Sequence, residues 1–291
     1  MVSQLSKYLL VFFFVILNFL TACTGGEMSK ATTDLPAISD IAPSFWEELS
    51  KKRIYFGHQS VGQNILVGVK MLMEANSHIQ VNLIETHNPA DFNDGIFAHS
   101  NVGENRKPKS KIDSFAQIIE SDLCKKANIA FFKFCYVDID SKTDLLEIFE
   151  YYKKTMSYLK QKYPNIVFIH VTVPLRTVQS GIKVPLKKLV GKPVEGYCDN
   201  ISRNDFNKIL ISEYGDKQPI FDLAMIESIS PDGRRSSFSY EGKTYYSLFP
   251  EYTNDGGHLN DIGSRKVAEQ LLVFLANLSH HSTAGSPSHH E

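Results

Sequence analysis

Apolar and polar residues fall in blocks along this chain. Five short runs are mainly apolar and of β type: 54–56, 79–84, 129–136, 166–173 and 220–223. The stretches between most of them repeat apolar residues at helical spacing. Ile65, Val69 and Leu72 share one helix face, and Leu145, Phe149, Tyr152, Met156 and Leu159 share another. Phe206, Ile209 and Leu210 make a third stripe, and Val267, Leu271, Leu275 and Leu278 a last one. Strands that alternate with helices predict an α/β fold whose parallel sheet is covered on both faces. The third and fourth runs are nearly unbroken, as central strands require.

Five strands of this kind fit a three-layer, flavodoxin-like sheet of order 2-1-3-4-5, with ligands bound beyond the strand C-termini. Two long stretches interrupt the pattern, 86–110 and 228–254. Loops of that length are usually functional, and both are expected to wall a cleft at the open end of the sheet. Within the second, Phe238-Ser239-Tyr240 and Thr244-Tyr245-Tyr246 alternate around Glu241-Gly242, the pattern of a small hairpin.

The ends read differently. Lys7, an apolar run from Tyr8 to Leu20, and Leu20-Thr21-Ala22-Cys23 make a targeting segment too short for a comfortable membrane span. Residues 1–22 are therefore expected to be a signal peptide and 23–43 a flexible tether. One domain is expected over 44–278, and a disordered Ser- and His-rich tail over 279–291. A formal net charge of −1 gives no electrostatic case for nucleic acid. Cys124, Cys135 and Cys198 cannot all pair, so no disulfide framework follows, although one bridge stays open. His58, His99 and His258 lack zinc-site spacing, and neither metal nor cofactor is expected.

Candidate chemistry sits in two stretches. Gly57-His58-Gln59-Ser60-Val61-Gly62 breaks the first strand and leads into the first helical stripe, placing a hydroxyl over the sheet edge. Asp255-Gly256-Gly257-His258-Leu259-Asn260 precedes the last stripe. An Asp three residues before a His can hold its Nδ1 proton and leave the other nitrogen to take a proton from a Ser. Asp255 and Asn260 also suit helix capping. Ser60 follows strand one and Asp138 follows strand three, the pair of strands where this topology places its ligands. His58 and Gln59 either contact substrate or buttress the turn. Lys133 either snorkels or pairs with Asp138 or Asp222.

Together these stretches resemble the SGNH (GDSL-type) hydrolases, which carry a nucleophilic Ser after the first strand and Asp-x-x-His before the last helix. The match is close at 255–263 and looser at Gly57-His58-Gln59-Ser60, where Gly-Asp-Ser is usual. The resemblance implies Ser60 as nucleophile, His258 as base and Asp255 as its orienter. It implies an oxyanion hole from the Ser60 amide, Gly103 and an Asn; Val137 stands where that Asn is expected, and Asn105 is the substitute candidate. His58, Gln59, Tyr136, Asp138 and Asn260 are substrate-binding candidates. Leu20-Thr21-Ala22-Cys23 further resembles a bacterial lipobox, implying lipidation of Cys23 and anchorage of an exported protein in the cell envelope. The implied partners are an ester-bearing substrate, with acylated carbohydrate one option, and the membrane. Alternatives are acyl transfer to or from polysaccharide, and a binding lipoprotein without catalysis.

Overall fold

The computed structural model describes residues 27–121, 126–181, 183–190, 192 and 194–284. Cys23, Cys124 and residues 1–22 lie outside them. In chain order the elements are β1 (Glu27–Thr32), α1 (Pro43–Ser50), β2 (Ile54–His58), α2 (Val61–Ala75), β3 (Asn82–Glu85) and β4 (Ile96–Asn101). Next come α3 (Pro108–Glu120), β5 (Ile129–Phe132), α4 (Leu145–Lys162), β6 (Val167–Val171), α5 (Lys183–Leu189) and α6 (Tyr197–Tyr214). The chain continues with β7 (Ile220–Phe221), α7 (Leu223–Ser228), β8 (Arg234–Tyr240), β9 (Lys243–Tyr246) and α8 (Asp261–Ala284). None of the described helices is long and apolar enough to cross a membrane.

The main sheet is parallel, in the order β3-β4-β2-β5-β6-β7. It corrects the expected five strands to six. The five anticipated strands keep their relative order, and β4 is inserted between the first two. β4 lay hidden in the stretch assigned to a loop because His99, Ser100 and Asn101 make it look polar. Its first five residues are nonetheless buried, and His99 therefore sits in the sheet.

Alternate residues of each strand feed two cores, as a two-sided sheet demands. Ile54, Phe56, Ile129 and Phe131 pack with α1, α2 and α8. Tyr55, Ala130, Phe132 and Phe168 pack with α3, α4 and α6. The Leu145–Leu159 stripe is thus the inner face of α4, as its spacing predicted. His170 is a satisfied core histidine of β6, with Nδ1 2.7 Å from Tyr152 Oη and its ring stacked on Tyr214.

A second sheet, β1-β8-β9, is antiparallel. Glu241 and Gly242 both have positive φ (47° and 75°) in the hairpin turn, the backbone sign that a two-residue hairpin favours. β1 lies in the segment expected to be a tether, which is a correction: Glu27 pairs with Ser237, and Pro36 O accepts from Gln270 Nε2 at 2.8 Å. The tail is corrected likewise. α8 runs beyond residue 278 to Ala284, and the His280 ring stacks on Phe45 at 3.8 Å.

Candidate active site

Ser60 stands between β2 and α2 with φ 54° and ψ −111°. A non-glycine residue there costs about 1–3 kcal/mol and persists only where the surroundings enforce it. The enforcement comes from close packing on both sides. A Cβ at Gly57 would lie 2.7 Å from Val102 Cγ1, and one at Gly62 would overlap the His58 side chain. Neither glycine has positive φ; each is small because a neighbour occupies the space. Ser60 occupies the helix N-cap position but its side chain makes no capping bond. The hydroxyl is therefore not consumed by the helix.

His58 and Gln59 resolve as buttresses. His58 is buried, with Nε2 3.1 Å from His99 Nδ1, and burial pushes its pKa down to about 3. Gln59 Nε2 donates to Val102 O at 3.0 Å and also to Gly103 O. This amide fastens the loop after β4 to the turn carrying Ser60. Gly103 has φ 55° and packs on the α3 backbone, where a Cβ would lie 2.5 Å from Lys111 N. Among the described residues, neither the Ser60 nor the Gly103 backbone amide has a protein acceptor. Asn105 Oδ1 accepts from Lys111 Nζ at 2.8 Å, so its amide nitrogen is the end left for a ligand.

The second half of the site is a tight turn before α8. Asp255 Oδ2 lies 2.6 Å from His258 Nδ1, while Asp255 Oδ1 accepts from His258 N at 2.8 Å and Gly257 N at 2.9 Å. Burial acts to raise the Asp255 pKa, but the His258 ring and these two amides outweigh it and hold the carboxyl well below the usual range. Asn260 caps α8, its Oδ1 accepting from Gly263 N at 3.0 Å while its Nδ2 donates to Glu251 O. Its side chain is spent on structure, which removes it from the substrate-binding candidates.

The turn after β5 touches both halves. Cys135 Sγ donates to Gln59 O at 3.6 Å, and the Tyr136 ring meets the His258 ring edge-on with centroids 5.6 Å apart. Tyr136 therefore stays a substrate-side candidate. No hydrogen bond joins Ser60 Oγ to His258 among the described residues. Asp138 leaves the candidate set. It is buried, and it receives Lys111 Nζ at 2.6 Å, Cys135 N at 2.6 Å and Arg106 N at 2.8 Å. A carboxylate so engaged holds the 103–111 loop to the 135–138 turn and has little left for substrate. Lys133 neither snorkels nor forms an ion pair among the described residues: its buried Nζ donates to Phe134 O at 3.1 Å and approaches Cys135 Sγ at 3.6 Å.

Sequence reasoning missed the frame behind His258. Arg176 Nε donates to Gly256 O (3.3 Å) and Nη2 to Asp255 O (3.4 Å), while Thr177 N adds a bond to Gly256 O at 3.0 Å. Arg203 is buried, and its Nε donates to Tyr136 O at 2.8 Å; burial lowers its pKa to about 10. The signal was present in the helical spacing of Asn200, Arg203 and Asn207, three polar residues on the inner face of α6.

No family model and no curated protein matches the chain. Its backbone is similar to solved structures of GDSL-type and acyl-transferring proteins. One, described as a lipolytic protein of the G-D-S-L family from Desulfitobacterium hafniense, is 9% identical with a TM-score of 0.43 over 76% of this chain and 99% of that one. Another, the periplasmic domain of a Salmonella ser. Paratyphi A lipopolysaccharide acetyltransferase, is 10% identical with a TM-score of 0.39, covering 81% and 85%. A third, described as a platelet activating factor from Streptococcus pneumonia, is 12% identical with a TM-score of 0.43, covering 80% and 89%. At such values the likeness stops at the backbone, and the chemistry has to be read from the side chains.

Proposed function

We propose that this chain is a serine esterase of the SGNH type, exported and anchored through a lipid on Cys23. The observation that carries the reading is a strained Ser60 with an unspent hydroxyl, on the same sheet edge as a His258 whose Nδ1 is held by Asp255. Ser60 Oγ attacks the ester carbonyl and gives its proton to His258 Nε2, which returns it to the departing alcohol. A water molecule, deprotonated in turn by His258, then releases the carboxylic acid and restores Ser60. The amides of Ser60 and Gly103, with Asn105 Nδ2, are the proposed donors to the oxyanion. The Ser60–His258 hydrogen bond is not made without substrate, and in this reading it forms in the substrate complex, as catalytic bonds commonly do.

An acyl group on a carbohydrate is a second reading of the substrate, and one observation favours it. A cleft of about 550 Å³ runs between α6 and the hairpin, lined by Tyr245, Tyr246, Asn204 and Asp205; Ser60, Asp255 and His258 do not line it, so in this reading it holds sugar away from the reacting ester. Phe238 and Tyr252 are buried and cannot stack on a sugar. The deciding experiment is hydrolysis of a short-chain nitrophenyl ester, with fluorophosphonate labelling read by mass spectrometry. Ser60→Ala and His258→Ala should each lower the rate by about 10³-fold or more, and the label should sit on Ser60. Unchanged rates in both variants would remove the esterase reading and leave a binding protein.

A further inference from the structure

Three of the five most exposed large apolar side chains on the described surface fall within five residues: Leu186 (63% exposed), Leu189 (84%) and Val190 (57%). They lie on and just after α5, in the connection between β6 and α6. The segment is fixed from within. Val184 and Val194 are buried with Tyr197 and Phe238 in a small core of their own, which the hairpin shares. The outward aliphatic face is therefore not a frayed loop that has lost its packing.

Charge says what covers it. Between Gly181 and Val194 the sequence holds Lys183, Lys187, Lys188 and Lys192 and no acidic residue. Lys192 is exposed, and among the described residues Lys187 is tied only to a neutral group, Gln179 Oε1, at 2.6 Å. Aliphatic side chains in a segment that carries lysines and no acidic residue suit a membrane surface: the apolar groups enter the headgroup boundary and the cations meet anionic phosphates. The chain's own course agrees. β1 pairs Glu27 with Ser237, the neighbour of Phe238, so the N-terminal segment enters the fold in this same lobe. Only three residues separate Glu27 from the proposed lipid site at Cys23, four steps of chain that span at most about 14 Å when extended.

We infer that the α5 segment docks on an anionic phospholipid bilayer, inserting Leu186, Leu189 and Val190. The inference does not depend on the esterase reading. The 177–196 stretch begins at Thr177, whose backbone N–H donates to the Gly256 carbonyl.

The test is Leu189→Trp in the full chain. Trp46, the single native Trp, is buried and serves as a constant background. Vesicles of phosphatidylglycerol and phosphatidylcholine with brominated acyl chains should blue-shift and quench the new emission at least twofold. Pure phosphatidylcholine should do so only weakly, and Lys187→Glu with Lys192→Glu should weaken the effect about tenfold. Leu146→Trp, at another exposed leucine (65%) on α4, should stay unquenched. The inference is overturned by unmoved emission of the Leu189→Trp chain, or by equal quenching of the Leu146→Trp chain. A concentration-dependent blue shift without vesicles would also overturn it, since a second copy of the chain would then be the occupant.

Discussion

Asn200 grips both backbone polar groups of Arg176: Oδ1 accepts from Arg176 N at 3.0 Å and Nδ2 donates to Arg176 O at 2.6 Å. Through Arg176 the grip reaches the Asp255 and Gly256 carbonyls and so the His258 turn. Asn200→Ala removes the acceptor of the part-buried Arg176 amide, and the lost bond costs about 0.5–1.5 kcal/mol. The urea midpoint should fall accordingly, and kcat for a reporter ester should drop several-fold with KM nearly unchanged. An unaltered kcat in a folded variant would free the His258 turn from this support.

Asp255→Asn separates orientation from stability. The Asn oxygen can still accept from the His258 and Gly257 amides, so the turn should survive and the melting temperature should move little. The ring loses the carboxylate that fixes its tautomer, and kcat should fall by about 10³-fold. Steady-state kinetics beside thermal melts will show whether the two separate.

Glu227 makes stability depend on pH. It is fully buried, accepts from Leu175 N, and burial pushes its carboxyl up to about 8 from an ordinary 4.5. Between those values the folded chain keeps a proton that the unfolded chain has released. The unfolded state then binds fewer protons, so stability falls as pH rises through this window, by up to about 1.4 kcal/mol per pH unit from this group. Relative to its parent, Glu227→Gln should gain stability between pH 5 and pH 8. Urea titrations at the two values decide it, and an equal difference at both would contradict the burial effect.

Gly68→Ala sets helix propensity against packing. Alanine is favoured over glycine in a helix by about 1 kcal/mol. Yet a Cβ at Gly68 would overlap the Ser264 carbonyl on α8, a backbone group that cannot rotate aside. Overpacking should win, with a net loss of about 1–3 kcal/mol in chemical denaturation. A stabilised variant would mean that the two helices slide apart cheaply.

Much of this architecture was legible in apolar spacing. The stripe on α4, the relative order of five strands and the Glu241-Gly242 turn all follow from side-chain period and turn chemistry. β4 was not, because two of its five buried residues are His99 and Ser100, whose burial is offset by bonds to His58 and Tyr55 across the sheet. β1 was not, since a strand of Glu27, Ser29 and Lys30 has no apolar pattern and exists through pairing with β8. At the site, Ser60, His258 and Asp255 stood out by motif. The role of Asp138 was misread because its proper partner, Lys111, is 27 positions away in the chain and recognisable only once α3 packs. Arg176 was invisible for the same reason: it acts through backbone carbonyls, which any sequence could present.

The contact of Gly68 with Ser264 also has a consequence in time. The helix that begins at Ser60 finds its packing partner almost 200 residues later, in α8, the last helix described. During synthesis from the N-terminus, the Ser60 turn is made early and waits, with its apolar helix face uncovered, until α8 has emerged. Contacts of such long sequence separation slow folding, because the loop must close before packing rewards it. The turns that carry Ser60 and His258 are thus brought to one sheet edge only after α8 has been made.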